Sequence, residues 1–233
     1  MDKLLKLLGQ KDFTYEPLIQ VLISRNRLIH NLHEFKRIAP EGSVAPVLKS
    51  NAYGHGLIEV ATIIEKEYWN QKVLRHRANP EQKNYVPFLI VDSYFEALQL
   101  RTAKIRIPIL VIGYTRPEVI AHSRLKDVSF TITNLETLKN VVNFQVSNRP
   151  VTIHIKIDTG MHRQGLLPEE LDQVPHLLGI NPSIIFQGIC SHFSDADNPD
   201  PSFTESQINL WNKIVPRMQT EYASIKYIHI SNT

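Results

Sequence analysis

One cysteine, Cys190, is present in 233 residues, so no disulfide can close within the chain and a small disulfide-stapled secreted fold is excluded. Within its apolar run Cys190 reads as a small buried hydrophobe. Long apolar runs are missing as well. Nothing approaches the roughly 18 residues that a membrane-spanning helix needs. Residues 1–8 lack the uninterrupted apolar core and small-residue cleavage site of a secretory signal. Charge of one sign is also scarce, since a net +3 is too small to argue for nucleic acid or an anionic membrane as partner. Lys72, Arg75, Arg77 and Lys83 against Glu81 make residues 70–84 a local basic stretch, expected to be a solvated loop. No repeat or low-complexity tract is present, and no metal is implied. A soluble, cytoplasmic protein is expected, of a length that suits one domain with a substantial core.

What is there is an alternation of short apolar runs and amphipathic segments. Residues 44–49, 86–91, 107–112, 128–132, 151–157, 184–193 and 225–230 read as strands. Helical spacing separates them: Leu28, Leu32 and Phe35, then Leu57, Val60, Ala61 and Ile64, and finally Ile208, Trp211, Val215, Met218 and Tyr222. Ser93 with Glu96, Thr133 with Glu136 and Ser202 with Glu205 have capping-box spacing. Pro117 and Pro168 suit helix starts, and Pro216 should kink or split the last helix. Sustained strand–helix alternation calls for a parallel sheet covered by helices. Seven such units point to an α/β fold of the (β/α)₈ TIM-type barrel class, apparently truncated before the eighth strand.

Two strands end in unusual chemistry. The run Val44-Ala45-Pro46-Val47-Leu48-Lys49 finishes on a lysine and breaks into Tyr53-Gly54-His55-Gly56. An amine held where water is scarce is driven toward its neutral form. That form makes a Schiff base with a carbonyl compound or with pyridoxal phosphate. On position alone, a lysine whose head reaches solvent is the simpler reading. In the fifth strand Thr152, His154, Lys156 and Asp158 share one face while Ile153, Ile155 and Ile157 share the other. Strands of a parallel barrel are normally apolar on both faces. A polar file implies either a polar site toward the C-terminal mouth or a buried Lys156–Asp158 ion pair.

The stretch Lys49-Ser50-Asn51-Ala52-Tyr53-Gly54-His55-Gly56 resembles the lysine signature of the alanine racemases, fold-type III pyridoxal-phosphate enzymes, with Ser50 in the place of alanine. His154-Ile155-Lys156-Ile157-Asp158-Thr159-Gly160-Met161-His162-Arg163-Gln164-Gly165 resembles that family's His-x-Lys-x-Asp-Thr-Gly-Met-x-Arg-x-Gly segment. Gly188-Ile189-Cys190-Ser191-His192-Phe193-Ser194-Asp195-Ala196-Asp197 is similar to Gly-x-x-Thr-His-Phe-Ala-x-Ala-Asp, and His229-Ile230-Ser231-Asn232-Thr233 to His-x-x-Asn-Ser. The matches follow family order from about residue 18 onward.

The resemblance implies that Lys49 holds the cofactor covalently and is the base on the D-alanine side. Tyr53 would reach the cofactor phosphate, with Gly54 and Gly56 letting the backbone pass close by. Arg163 would meet the cofactor's phenolic oxygen and orient the substrate, held by a carbamylated Lys156. An anion there would pair with Arg163, whereas an ammonium would repel it. His192 would lie against the cofactor ring, and Asn232 and Thr233 would also bind cofactor, Thr233 through its hydroxyl and backbone N–H. His55 stays open as a loop-packing residue.

By the same resemblance, residues 1–233 are expected to be the N-terminal, pyridoxal-phosphate-binding barrel of an alanine racemase, incomplete and without its C-terminal β-domain. In the family that domain brings the second catalytic base from the partner subunit of a homodimer. Racemization needs a base on each face of the α-carbon, so this chain alone is expected to be inactive or nearly so. The full-length parent would interconvert L- and D-alanine and supply D-alanine for peptidoglycan. A serine or broad-specificity racemase, or a non-catalytic single-barrel pyridoxal-phosphate-binding protein, are the alternative readings.

Overall fold

A computed structural model describes residues 18–78, 86–144 and 149–231. The elements run α1 (Arg25–Ile38), α2 (Leu57–Ala78), β1 (Leu89–Val91), α3 (Tyr94–Thr102), β2 (Ile109–Val111), α4 (Pro117–His122) and β3 (Val128–Ile132). They continue as α5 (Leu135–Asn143), β4 (Val151–Lys156), a 3₁₀ turn (Pro168–Gln173), α6 (Val174–Ile180), β5 (Ile184–His192), α7 (Ser202–Glu221) and β6 (Tyr227–Ser231). The strands form one parallel sheet in sequence order, β1-β2-β3-β4-β5-β6. This is the α/β order that the alternation predicts.

The predicted first strand, residues 44–49, is reduced to a single parallel bridge from Val47 to Ile90. The Leu48 N–H donates to Ile90 O and the Ile90 N–H to Pro46 O, at 2.7 and 2.9 Å. Pro46 has no N–H to extend that ladder. The seventh strand position is therefore occupied by one bridging residue beside six strands.

Alternation along each strand separates two cores. Outward residues such as Leu89, Val91, Ile109, Phe130, Ile132, Ile153 and Ile189 pack against the helices through Leu100, Ile120, Leu138, Trp211 and Met218. Inward residues Phe88, Ile90 and Leu110 form a separate cluster with Val47, Ile112 and Tyr227. Phe88 precedes β1 and Tyr227 opens β6, at opposite edges of the sheet, yet their rings lie 5.0 Å apart. Such contact requires the sheet to curl, and it forms a half-barrel with an inside. His154 completes this inner cluster, with its ring 5.7 Å from Phe88 and 5.8 Å from Tyr227. A register shift at Ile153/His154 brings Gly188 opposite His154. A Cβ on Gly188 would sit 2.5 Å from His154 Nδ1, so only glycine leaves room for that ring.

Several helix ends differ from expectation. The Ser93–Glu96 capping box forms with both halves present. The α5 cap is Asn134 rather than Thr133, with its side-chain oxygen accepting from the Thr137 N–H at 2.7 Å. Ser202 is the first helical residue of α7 rather than its cap, and its N–H donates to the Asp200 carboxylate. Helix α7 runs unbroken through Pro216, because Trp211, Ile214 and Met218 bury one face on either side of it. The expected basic loop is helical as far as Ala78, and residues 79–84 of it lie outside the described residues.

Candidate active site

Lys49 follows the bridge at Val47 and opens a turn that winds the wrong way. Ser50, Asn51, Ala52 and Tyr53 have φ of 55, 57, 52 and 53°, a left-handed conformation in four consecutive non-glycine residues. Such geometry costs roughly 1–2 kcal/mol per residue and persists only where surroundings over-determine it. Here they do. The Ala52 N–H donates to Leu48 O at 2.8 Å and the Gly56 N–H to Asn51 O at 2.9 Å. The Asn51 side chain accepts from the Leu57 N–H at 2.8 Å, and Glu96 of the α3 capping box accepts from the Asn51 N–H at 3.2 Å. Lys49 itself is half-buried, with its Nζ 5.9 Å from the centroid of the exposed Tyr53 ring.

The second loop begins at Asp158. Its carboxylate accepts from the backbone N–H groups of Gly160 and His162 at 2.9 and 3.1 Å, folding the chain back over the strand end. Leu166 closes the loop by pairing with Ile157, and Gly165 packs under it with φ of 133°. A Cβ there would meet the Asp158 backbone nitrogen at 2.4 Å. This loop carries Arg163 and Gln164 across the mouth. Asp158 is therefore a loop former, and the alternative of a Lys156–Asp158 ion pair is not realised. Lys156 Nζ instead contacts Gln164 Oε1 at 3.4 Å.

The third contribution comes from the end of β5. Half-buried His192 is held through its own carbonyl, which accepts from Gln207 Nε2 of α7 at 3.2 Å. The same amide nitrogen donates to Thr159 Oγ1, and Gln207 Oε1 accepts from the Ser194 N–H, both at 3.1 Å. Gln207 is fully buried, so one amide joins the Asp158 loop to the His192 strand end.

These pieces converge on one cavity of about 530 Å³ at the C-terminal ends of the strands, lined by Lys49, Tyr53, Lys156, Arg163 and His192. Every sequence-predicted site residue among those described is there. Asn232 and Thr233 lie outside the described residues. Asp92, Thr131, Gln164, Cys190 and His229 also line it and were not singled out by the sequence as site residues. For Asp92 and Thr131 the available signal was their place at or near a strand's C-terminal end on the inward register. A second cavity, of about 430 Å³, opens at the opposite ends of the strands beside Phe88 and Tyr227. Chemistry in parallel barrels belongs to the C-terminal mouth, and the motif residues sit there.

The cavity's electrostatics favour an anion. Lys49, Lys156 and Arg163 face one carboxylate, Asp92. Burial lowers the Lys156 pKa, with Arg163 and Lys49 adding to the effect and Cys190 and Asp158 opposing it. The Cys190 thiol is pushed up to about 12 by burial, against the pull of Lys156, and stays protonated. Beneath them burial drives His154 down to about 3, aided by His229 and partly opposed by the nearby Gln187 side chain. Burial likewise lowers His229 to about 4. Two neutral imidazoles thus stand in the barrel interior, with the His154 nitrogens and His229 Nε2 lacking a hydrogen-bond partner of good geometry. Among the described residues no group of His, Cys, Asp or Glu is placed to hold a metal ion, and no described helix is long and apolar enough to cross a membrane.

An alanine racemase of Clostridium tetani is 32% identical over 214 residues, which span 91% of this chain and 51% of that protein. One from Carboxydothermus hydrogenoformans is 30% identical over 212 residues, spanning 91% of this chain and 53% of the relative. The chain thus spans about half the length of these curated relatives. Among solved structures, an alanine racemase of Clostridium difficile 630 superposes with a TM-score of 0.74 at 29% identity, covering 89% of this chain and 54% of that one. Residues 23–233 match the family described as alanine racemase, N-terminal domain, and the chain belongs to that family.

Proposed function

We propose that this chain is the cofactor-binding barrel of a pyridoxal-phosphate-dependent alanine racemase, whose whole protein interconverts L- and D-alanine. The observation that carries the reading is the convergence of Lys49, Tyr53, Lys156, Arg163 and His192, from separate parts of the chain, on one cavity. The donor set fits the cofactor: the Lys49 amine, the Arg163 guanidinium and the Tyr53 hydroxyl around one cavity suit a phosphorylated, phenolate-bearing ring. Buried atoms with no protein partner, Thr131 Oγ1 and His229 Nε2, lie among the same lining residues. When bound, pyridoxal phosphate supplies an electron sink for the charge left at the substrate α-carbon.

The chain's own residues then have distinct tasks. Lys49, in the lining of the cavity, holds the cofactor and moves a proton at the α-carbon on one face. Arg163, carried over the mouth by the Asp158 loop, neutralises the phenolic oxygen and orients the substrate carboxylate. Tyr53 contributes a hydroxyl toward the phosphate, and Asn232 and Thr233 are assigned to cofactor binding from the family pattern alone. His192 packs against the ring. Lys156 is carbamylated: burial raises the share of neutral amine, the form that adds to carbon dioxide with loss of a proton. The resulting anion holds Arg163 in place.

Racemization requires a second base on the opposite face, and we assign it to a part of the protein beyond this span. The 233-residue chain by itself is expected to racemize alanine little or not at all. The test is borohydride reduction of the chain with pyridoxal phosphate, followed by intact mass and peptide mapping. One phosphopyridoxyl group on Lys49 is expected. Absent or scattered labelling on surface lysines would overturn the reading.

A further inference from the structure

Thr131 is the inward residue of β3 at the level of the cavity floor. It stands in register with His154 of β4, and Ser129, two residues earlier on the same face, belongs to the cavity at the other end. Only 2% of its surface is exposed, and its hydroxyl has no hydrogen-bond partner. Buried hydroxyls without partners are uncommon and costly, so each requires a reason. The other serine and threonine hydroxyls nearby are committed. Ser191 Oγ donates to Ile157 O at 2.8 Å and lies 2.8 Å from Thr159 Oγ1, which in turn accepts from Gln207.

Fold requirements do not explain a hydroxyl at this position. The inner face beside it is apolar at Ile112, just past the end of β2, and at Ile90 of β1 beyond, so valine would suit the pleat as well and would leave nothing unpaired. The cations that share the cavity with it, Lys49 and Arg163, are donors with no accepting atom. A ligand that satisfies them is rich in acceptor oxygens, and toward such a ligand a hydroxyl acts as donor.

We propose that Thr131 is a ligand-binding residue of this site, its hydroxyl donating a hydrogen bond to an acceptor oxygen of the pyridoxal phosphate. This rests on the reading of the site given under the proposed function. Thr131 is then a residue whose cost falls on the empty protein and whose benefit falls on the loaded one. That opposition of sign distinguishes a binding role from a packing role.

The experiment uses the 233-residue chain, with Thr131→Val removing the hydroxyl at nearly constant shape and Thr131→Ser retaining it. Pyridoxal phosphate is titrated by absorbance, and melting is followed with and without it. Without cofactor T131V is expected to melt at or above the parent's temperature. Its affinity for pyridoxal phosphate should fall about ten-fold and its cofactor-induced rise in melting temperature should shrink, while T131S stays close to the parent. Parent-like affinity in T131V would overturn the assignment of Thr131 alone, as would a T131V protein that melts well below the parent when empty. If parent, T131S and T131V all take up no cofactor, the reading of the site falls, and the Thr131 proposal with it.

Discussion

Replacing Gln207 by leucine tests how the candidate site is held together. Leucine keeps most of the volume of a fully buried side chain and removes three hydrogen bonds, to Thr159 Oγ1, His192 O and the Ser194 N–H. The losses are unequal. Thr159 keeps Ser191 as a partner, and Ser194 is exposed enough for its N–H to turn to water. The half-buried His192 carbonyl loses its Gln207 donor. Three net hydrogen bonds at about 1 kcal/mol each are partly offset by burial of the leucine side chain. The balance is about 2–3 kcal/mol. For a chain of this size that lowers Tm by about 5–10 °C, measurable by calorimetry or circular dichroism. Gln207→Glu supplies the control: it keeps the acceptor for Ser194, loses both donors and buries a charge. It should therefore be worse than leucine at neutral pH and recover as the carboxyl is protonated. A leucine variant melting within about 1 °C of the parent, or a glutamate variant indifferent to pH, would refute the argument.

Three further outcomes follow from the geometry. Glu96→Gln leaves one acceptor oxygen where two serve the N–H groups of Asn51, Asp92 and Ser93. A loss of about 1–2 kcal/mol is expected, together with faster hydrogen exchange at the Asn51 amide, and exchange altered only around Ser93 would contradict the link to the Lys49 turn. Gly165→Ala places a Cβ 2.4 Å from the Asp158 nitrogen at φ of 133°, so a loss of about 3–5 kcal/mol is expected; a soluble variant with parental Tm would count against the loop geometry. His154 and His229 titrate near 3 and 4 when folded, against 6.5 for an ordinary histidine. The unfolded chain therefore binds more protons below 6.5. The contribution is complete above about pH 6.5 and lost as pH falls toward 4, at up to about 1.4 kcal/mol per pH unit for each residue. Urea titrations at pH 6.5, 5.5 and 4.5 giving constant stability would refute the burial of both rings.

How much of this was legible in the sequence depended on the range of the interactions. Period-two runs such as 128–132 and 184–193 become strands within a residue or so, because each buries an outward face on helices that follow it directly. The motif residues were legible only through their resemblance to the alanine racemase segments, since on position alone a head reaching solvent was the simpler reading of Lys49. What escaped was set from elsewhere in the chain. Nothing local to Gln207 distinguishes it from a surface glutamine, and its partners lie 13 to 48 residues away. Residues 44–49 read as a strand by composition, but pairing depends on the neighbouring ladder, and Val47 alone makes it. Residues 70–78 carry the charge of a loop yet continue a helix already anchored by Leu57, Val60 and Ile64.

The grip of Glu96 on Asn51 has a consequence for the order of events during synthesis. The two residues are 45 positions apart, with α2, β1 and the start of α3 between them. A nascent chain emerges at about 5–20 residues per second, so the stretch behind Lys49 waits some seconds for the carboxylate that holds its left-handed turn. Until α3 has begun, the turn has only its own bonds between Leu48 and Leu57 and lacks the one from Glu96. The Lys49 turn thus gains its last bond only once the next strand–helix unit has formed, and completion of the cavity wall is tied to progress of the fold.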